Sequence, residues 1–229
     1  MLHELSFSAD AGVLGLLGVN GAGKSTLLES LAGLLPPRSG HVLVDGVDVY
    51  GAGRRSRAVG AVALVPQHLG FPGRFTVTEY LQHMAWMRAV PKVSRAAAVD
   101  AALDAVDLTA HARQAMGRLS GGTMRRAAIA QALLADPAVL LLDESTTGLD
   151  PVQRAEVRGL LEGLAQTRLV VLASHIVEDI EQVASRVVVV HDGRIVFDGT
   201  SAEIASLGPA AAPPGVEGGF LALVGGLGS

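Results

Sequence analysis

A chain of 229 residues can bury one substantial core, and 18 Lys and Arg against 22 Asp and Glu leave it a formal charge of -4. That balance speaks against a nucleic-acid partner, because phosphate neutralisation needs clustered Lys and Arg. With no cysteine there is no disulfide framework. Although 49% of residues are hydrophobic, no run reaches the roughly 20 apolar residues of a membrane helix. No basic stretch followed by an apolar core opens the chain, so no signal peptide is expected, and any bilayer would be spanned by another polypeptide.

In chain order, residues 2–7 predict a short strand and residues 13–17 a buried one. A continuous apolar run feeding a glycine loop suits a mostly parallel sheet. Residues 24–34 predict a helix ended by Gly33 and Pro36-Pro37, and residues 39–50 a hairpin turning on Asp45-Gly46. Residues 61–65 predict a strand closed by Pro66 and Gln67. The pattern then turns helical. Thr76-x-x-Glu79 is a capping box opening a helix over 79–88. Ser94 is the expected N-cap of a helix over 95–106, with Val99, Ala102, Leu103 and Val106 on one face. A third helix is expected from about 120 to 135, before Pro137.

The strand over 139–142 ends in Asp143-Glu144. Asp150-Pro151 starts a helix with Val157, Leu160, Leu161 and Leu164 as its buried stripe. A strand over 169–173, a helix over 176–184 and a hairpin (186–190 and 194–197, turning on Asp192-Gly193) follow. Residues 208–218, rich in Ala, Pro and Gly, predict a linker, with 220–224 docking as a last short helix. The alternation predicts an α/β fold with a helical insert between the halves of the sheet.

Gly18-Val19-Asn20-Gly21-Ala22-Gly23-Lys24-Ser25 fits G-x-x-x-x-G-K-[ST]. Gly18, Gly21 and Gly23 free successive N–H groups to form a concave anion nest, and the following helix adds the positive end of its dipole. Lys24 should reach the β- and γ-phosphates of a nucleoside triphosphate, and the Ser25 hydroxyl should ligate Mg²⁺. Asp143 and Glu144 end a buried strand, and adjacent strand residues point differently, so the two carboxylates can divide the labour. Asp143 would hold Mg²⁺, and Glu144 would orient or deprotonate the attacking water. Gln67, Asp150 and His175 also lie at segment ends. By themselves they read more readily as a turn glutamine, an N-cap aspartate and a loop histidine than as site residues.

Leu119-Ser120-Gly121-Gly122 lies between the two phosphate motifs. With it, the order Lys24, Gln67, Ser120-Gly121-Gly122, Asp143-Glu144, Gly148-Leu149-Asp150, His175 resembles the ATP-hydrolysing subunit of an ABC transporter. The text around the switch histidine, Ser174-His175-Ile176-Val177-Glu178-Asp179, and the ending Asp198-Gly199-Thr200 look most like bacterial drug and antibiotic exporters.

The resemblance implies a P-loop NTPase fold, α/β with a mostly parallel sheet core. It adds a small antiparallel β-subdomain, here missing its first strand, and an inserted helical subdomain. The ATPase domain would cover 1–207, with core and β-subdomain in 1–67 and 137–207 and the helical subdomain in 68–136. Residues 208–229 would be linker and C-terminal segment. ATP and Mg²⁺ would be the cofactors, held by Gly18, Asn20, Gly21, Ala22, Gly23, Lys24, Ser25 and Thr26. Gln67 would join Ser25 and Asp143 at the metal and serve catalysis with Glu144 and His175. Two copies, or the chain and a paralogue, would pair head to tail, with Ser120, Gly121, Gly122 and Asp150 meeting the nucleotide across the interface. A separate membrane-spanning permease would be the other partner, placing the chain at the cytoplasmic face of the cell membrane.

Phe71, Phe75, Tyr80 and Trp86, in a chain only 3% aromatic, would form a patch receiving a permease loop, unless they are ordinary core. Departures from the family pattern are Val19, Thr123 and Ser145, and the adenine-stacking aromatic, which would lie before Met1. Phe7 is more easily core than its substitute. The alternatives are a soluble non-transport ABC ATPase, disfavoured by the lack of a second cassette or heptad arms, and an N-terminally truncated cassette with weak nucleotide binding.

Overall fold

The computed structural model describes residues 2–51, 60–68, 70–208 and 213–227. Its centre is a six-stranded sheet. The strands are β1 (Gly12–Leu17), β4 (Val62–Val65), β5 (Val139–Asp143), β6 (Leu169–Ser174), β7 (Arg186–His191) and β8 (Arg194–Thr200), in spatial order β4-β5-β6-β1-β7-β8. All neighbours run parallel except the β7–β8 hairpin. A separate antiparallel pair, β2 (Leu43–Val44) and β3 (Val47–Asp48), turns on Asp45 and Gly46, both at positive φ. The sheet halves and the small hairpin follow the sequence pattern closely.

Side-chain alternation divides the core between the two faces of the sheet. Val13 and Leu17, Leu140 and Leu142, Val170 and Leu172, and Val187 and Val189 face one cluster. Leu14 and Leu16, Leu141, Val171 and Ala173, and Val188 and Val190 face the other. The second face is covered by α1 (Lys24–Leu31), through Leu27 and Leu28, and by Leu2, Leu5 and Phe7. Phe7 is thus packed against the core. Residues 2–7, expected as a strand, form none: they run along the phosphate-loop side, where His3 N–H donates to Gly193 O. α1 stops before its expected end because Gly33, at φ 76°, closes a Schellman cap: Leu34 N–H donates to Glu29 O and Gly33 N–H to Ser30 O.

The first face is covered by α2 (Val77–Met87), α3 (Arg95–Ala105) and α4 (Gly121–Leu133), which lie between β4 and β5 in the chain, and by α5 (Pro151–Ala165) and α6 (Val177–Val183). Both halves of the Thr76/Glu79 capping box are made. Ser94 caps nothing with its side chain; residues Lys92–Ser94 are a 3-10 turn that leads straight into α3. The expected stripe on α3 is buried, as are Val157, Leu161 and Leu164 of α5, while Leu160 is only partly covered. Short α7 (Ser201–Ser206) and the C-terminal α8 (Val216–Leu227) close the fold, the latter burying Val216 and Phe220. The helix therefore starts inside the stretch expected to be linker, of which residues 209–212 lie outside the described residues. Glu181 Oε1 accepts from Val216 N–H, giving that helix its start.

Candidate functional site

The phosphate loop is held from both sides. A Cβ on Gly18 would lie 2.5 Å from Val190 O, so glycine there lets the loop lie directly on β7. Ala22 O accepts from Gly193 N–H at 3.0 Å, tying the loop to the β7–β8 turn. Gly21 at φ 82° and Gly23 at φ 108° take the left-handed backbone the nest needs. Beneath β1, Gly15 leaves room for α6: a Cβ there would meet Ile180 Cγ2 at 2.2 Å.

Lys24 is 6% exposed, and its Nζ donates to Gly18 O at 2.7 Å and Val19 O at 3.3 Å. An ammonium has three donors, so one remains for an anion. Burial pushes the Lys24 ammonium below the usual lysine range, while the charges of Glu144 and Asp143 pull it back up. Bringing phosphates to this cation would restore the charge that burial disfavours.

Glu144 has φ 51° at the sheet's C-terminal edge, where a side chain of that size is strained. Its N–H donates to Ala173 O at 2.9 Å, and its Oε2 accepts from His175 Nδ1 at 2.5 Å and from Thr147 Oγ1 at 2.7 Å. Its carboxylate is thus fixed while its side chain stays only 9% exposed. Neighbouring Asp143 has its Oδ1 buried without a hydrogen-bond partner among the described residues. An orphaned carboxylate oxygen on a residue near enough to act on the charge of Lys24 fits an oxygen-ligated divalent cation such as Mg²⁺.

Lys24, Glu144 and His175 meet in one cleft of about 360 Å³, lined also by Asn20, Gly21, Gly23, Ser25, Thr26 and Gln67, whereas Asp143 is not among its lining residues. Gly18 and Ala22 are buried under the loop. Ser120, Gly121, Gly122 and Asp150 are not part of this cleft. Ser120 caps α4, its Oγ accepting from Thr123 N–H at 3.3 Å and lying 2.8 Å from Thr123 Oγ1. Asp150 caps α5 through Gln153 N–H at 2.9 Å. Both are exposed, and Gly122 is buried against Gln153, where a Cβ would meet Cγ at 3.0 Å.

A second hollow of about 290 Å³ lies alongside, lined by Gln67, His68, Phe71, Gly121, Met124, Arg125, Ala128 and Thr147–Leu149. Of the expected aromatic patch, Phe71 lines this hollow and packs edge-on against Tyr80, which is core. Phe75 and Trp86 are exposed, with His83 between their rings. The residue that sequence reasoning passed over is Thr147; its place three residues after Glu144, in a Thr-Thr-Gly turn, is the signal that could have found it.

The family model described as "ABC transporter" matches residues 2–147. Methionine import ATP-binding protein MetN 2 of Burkholderia pseudomallei is 40% identical over 204 residues, covering 86% of this chain and 51% of that protein. Nod factor export ATP-binding protein I of Neorhizobium galegae is 36% identical over 206 residues, covering 87% and 57%. ABC transporter A family member 1 of Dictyostelium discoideum is 33% identical over 203 residues, covering 88% and 23%. The chain thus spans about a quarter to a little over half of the length of these relatives. Among solved structures, cbiO1 from Clostridium perfringens, part of the ABC transporter complex cbiONQ, superposes with a TM-score of 0.79 at 27% identity, covering 90% of this chain and 84% of that one. The P-loop ABC ATPase fold is shared with it, and no helix among the described residues is long and apolar enough to cross a membrane. The chain belongs to the ABC transporter family, as an ATP-binding domain of this ATP-hydrolysing family.

Proposed function

We propose that the chain is the ATP-hydrolysing subunit of a membrane exporter and works by ATP-dependent head-to-tail pairing of two copies. The observation that carries this reading is the division of the motif residues. Lys24, Ser25, Gln67, Glu144 and His175 share one cleft, while Ser120 and Asp150 stand exposed at the starts of α4 and α5. A second copy can bring its Ser120-Gly121-Gly122 and the N-terminus of its α4 to the outer side of a phosphate lying in that cleft.

Within one copy, Lys24 and the loop N–H groups bind the β- and γ-phosphates. Ser25, Asp143 and Gln67 would hold Mg²⁺, which would screen the phosphate charge. Glu144 accepts the proton of the attacking water through its carboxylate, and His175 donates to the γ-phosphate. ATP acts as the adhesive between copies, and its cleavage separates them. The helical segment 68–136, with the second hollow on its flank, receives a loop of a membrane-spanning permease at the cytoplasmic face. Export is the direction favoured by residues 174–179 and by the Nod factor export relative, whereas the methionine import relatives carry the opposite direction.

The test is the mass in solution of Glu144→Gln with and without Mg·ATP. The amide keeps the shape of the side chain but cannot take a proton, so ATP persists and twice the monomer mass is expected. Ser120→Arg on the same background should abolish that shift. A monomer at saturating ATP overturns the pairing.

A further inference from the structure

Thr147 stands in the wall between the two hollows. Its backbone N–H donates to Glu144 O at 3.2 Å, closing the turn that follows β5. Its Oγ1 reaches back to Glu144 Oε2 at 2.7 Å, while the residue itself lines the second hollow beside Phe71, Met124 and Arg125. Gln67, unlike Thr147, lines both hollows, yet among the described residues no hydrogen bond joins it to Glu144. Thr147 is therefore the direct polar tie between Glu144 and the far wall.

Glu144 Oε2 accepts from two donors, Thr147 and His175, and its Oε1 carries no hydrogen bond among the described residues. Such an arrangement pins one oxygen and leaves the other to take a proton. The two donors are unequal in permanence. His175 is exposed and lines the phosphate cleft, and a neutral imidazole has a single N–H, so donating it to a phosphate would take it from Glu144. Thr147 is held by its own turn, and among the described residues its hydroxyl has no other acceptor. Once His175 turns away, the hydroxyl of Thr147 alone keeps the strained Glu144 side chain in place.

We propose that Thr147 is the positioning residue for Glu144 during hydrolysis. This rests on the reading of Glu144 as the proton acceptor. Misplacing a reacting group by about 1 Å costs on the order of 100-fold in rate. Thr147→Val, which keeps the shape and removes the donor, therefore lowers kcat about 10- to 100-fold with KM for ATP within about twofold. Thr147→Ser restores most of the rate, because the donor returns without the methyl group. The slowed Thr147→Val variant also accumulates the ATP-bound dimer, read as mass in solution, as Glu144→Gln does. A residue that merely packed the turn would lower the melting temperature, with serine no better than valine for turnover.

Thr147→Ala is measured alongside, and whichever of it and the valine variant stays folded supplies the reading. Wild-type kcat in that variant overturns the inference, as does failure of Thr147→Ser to recover turnover. If Glu144→Gln itself turns over ATP normally, it is the assignment of the base that falls, and the two failures are told apart.

Discussion

Tyr80 brings a phenol into the packing between α2 and α4, where its hydroxyl hydrogen-bonds to Gln131 Oε1. Burial raises its pKa to about 12, with the charge of Arg88 pulling modestly the other way. In the unfolded chain the phenol ionises near its ordinary value of 10.0. The folded state thus keeps a proton that the unfolded state has already released. The contribution of this proton to stability is complete below pH 10 and is lost as pH rises toward about 12. Tyr80→Phe should begin less stable at neutral pH, having lost a hydrogen bond, yet its melting temperature should fall less steeply than wild type between those two pH values.

Single side chains differed in how far the sequence exposed them. Lys24 and Glu144 were legible because a glycine spacing and a strand end dictate where they go, whereas His175 stood out only through the order of the family's motifs. Thr147 was less so: its place three residues after Glu144 is a signal, but a Thr-Thr-Gly turn does not say which of its two hydroxyls folds back.

At the scale of elements, local chemistry carried most of the reading. Asp150 followed by Pro151 starts α5, and the Asp150 carboxylate accepts from Gln153 N–H. Asp150→Ala should cost about 1 kcal/mol of unfolding free energy, measurable by urea denaturation of the nucleotide-free chain. Glycine there should cost less, because its flexible backbone tolerates the cap conformation. Elements defined by such caps and by apolar spacing stood where expected. The failures share a cause. Residues 2–7 alternate like a strand, but a strand exists only if a free edge lies beside it, and that is decided by residues far away in the chain. Ser94 has the chemistry of a cap, yet the turn before it already delivers the chain in helical geometry, φ -102° and ψ -8°, which points its hydroxyl elsewhere.

In the whole molecule, two hollows adjoin and share Gln67, and under the proposed function the second would receive the permease. Phe71 belongs to the second, packed edge-on to Tyr80 at 5.3 Å between ring centroids. In inside-out vesicles bearing the assembled transporter, ATP supplied outside should drive cargo inward. Phe71→Ala should reduce that accumulation several-fold while ATP turnover by the isolated chain stays within about twofold of wild type. Equal loss of both would place Phe71 in the ATPase machinery instead.

The strand that feeds the phosphate loop has its own temporal consequence. β1 precedes the other described strands of its sheet in the chain, yet its two neighbours are β6 and β7, so Leu14 pairs with Val171 on one side and Arg186 on the other. During synthesis the loop leaves the ribosome long before anything exists to flank it, and its apolar strand waits until residues 169–191, which carry β6 and β7, are made. Nucleotide cannot template the early half, because Glu144 and His175 come from β5 and the end of β6. Completion of the sheet and the birth of the ATP site are therefore one late event, and a nascent chain stalled before β7 is an aggregation hazard rather than a partial enzyme.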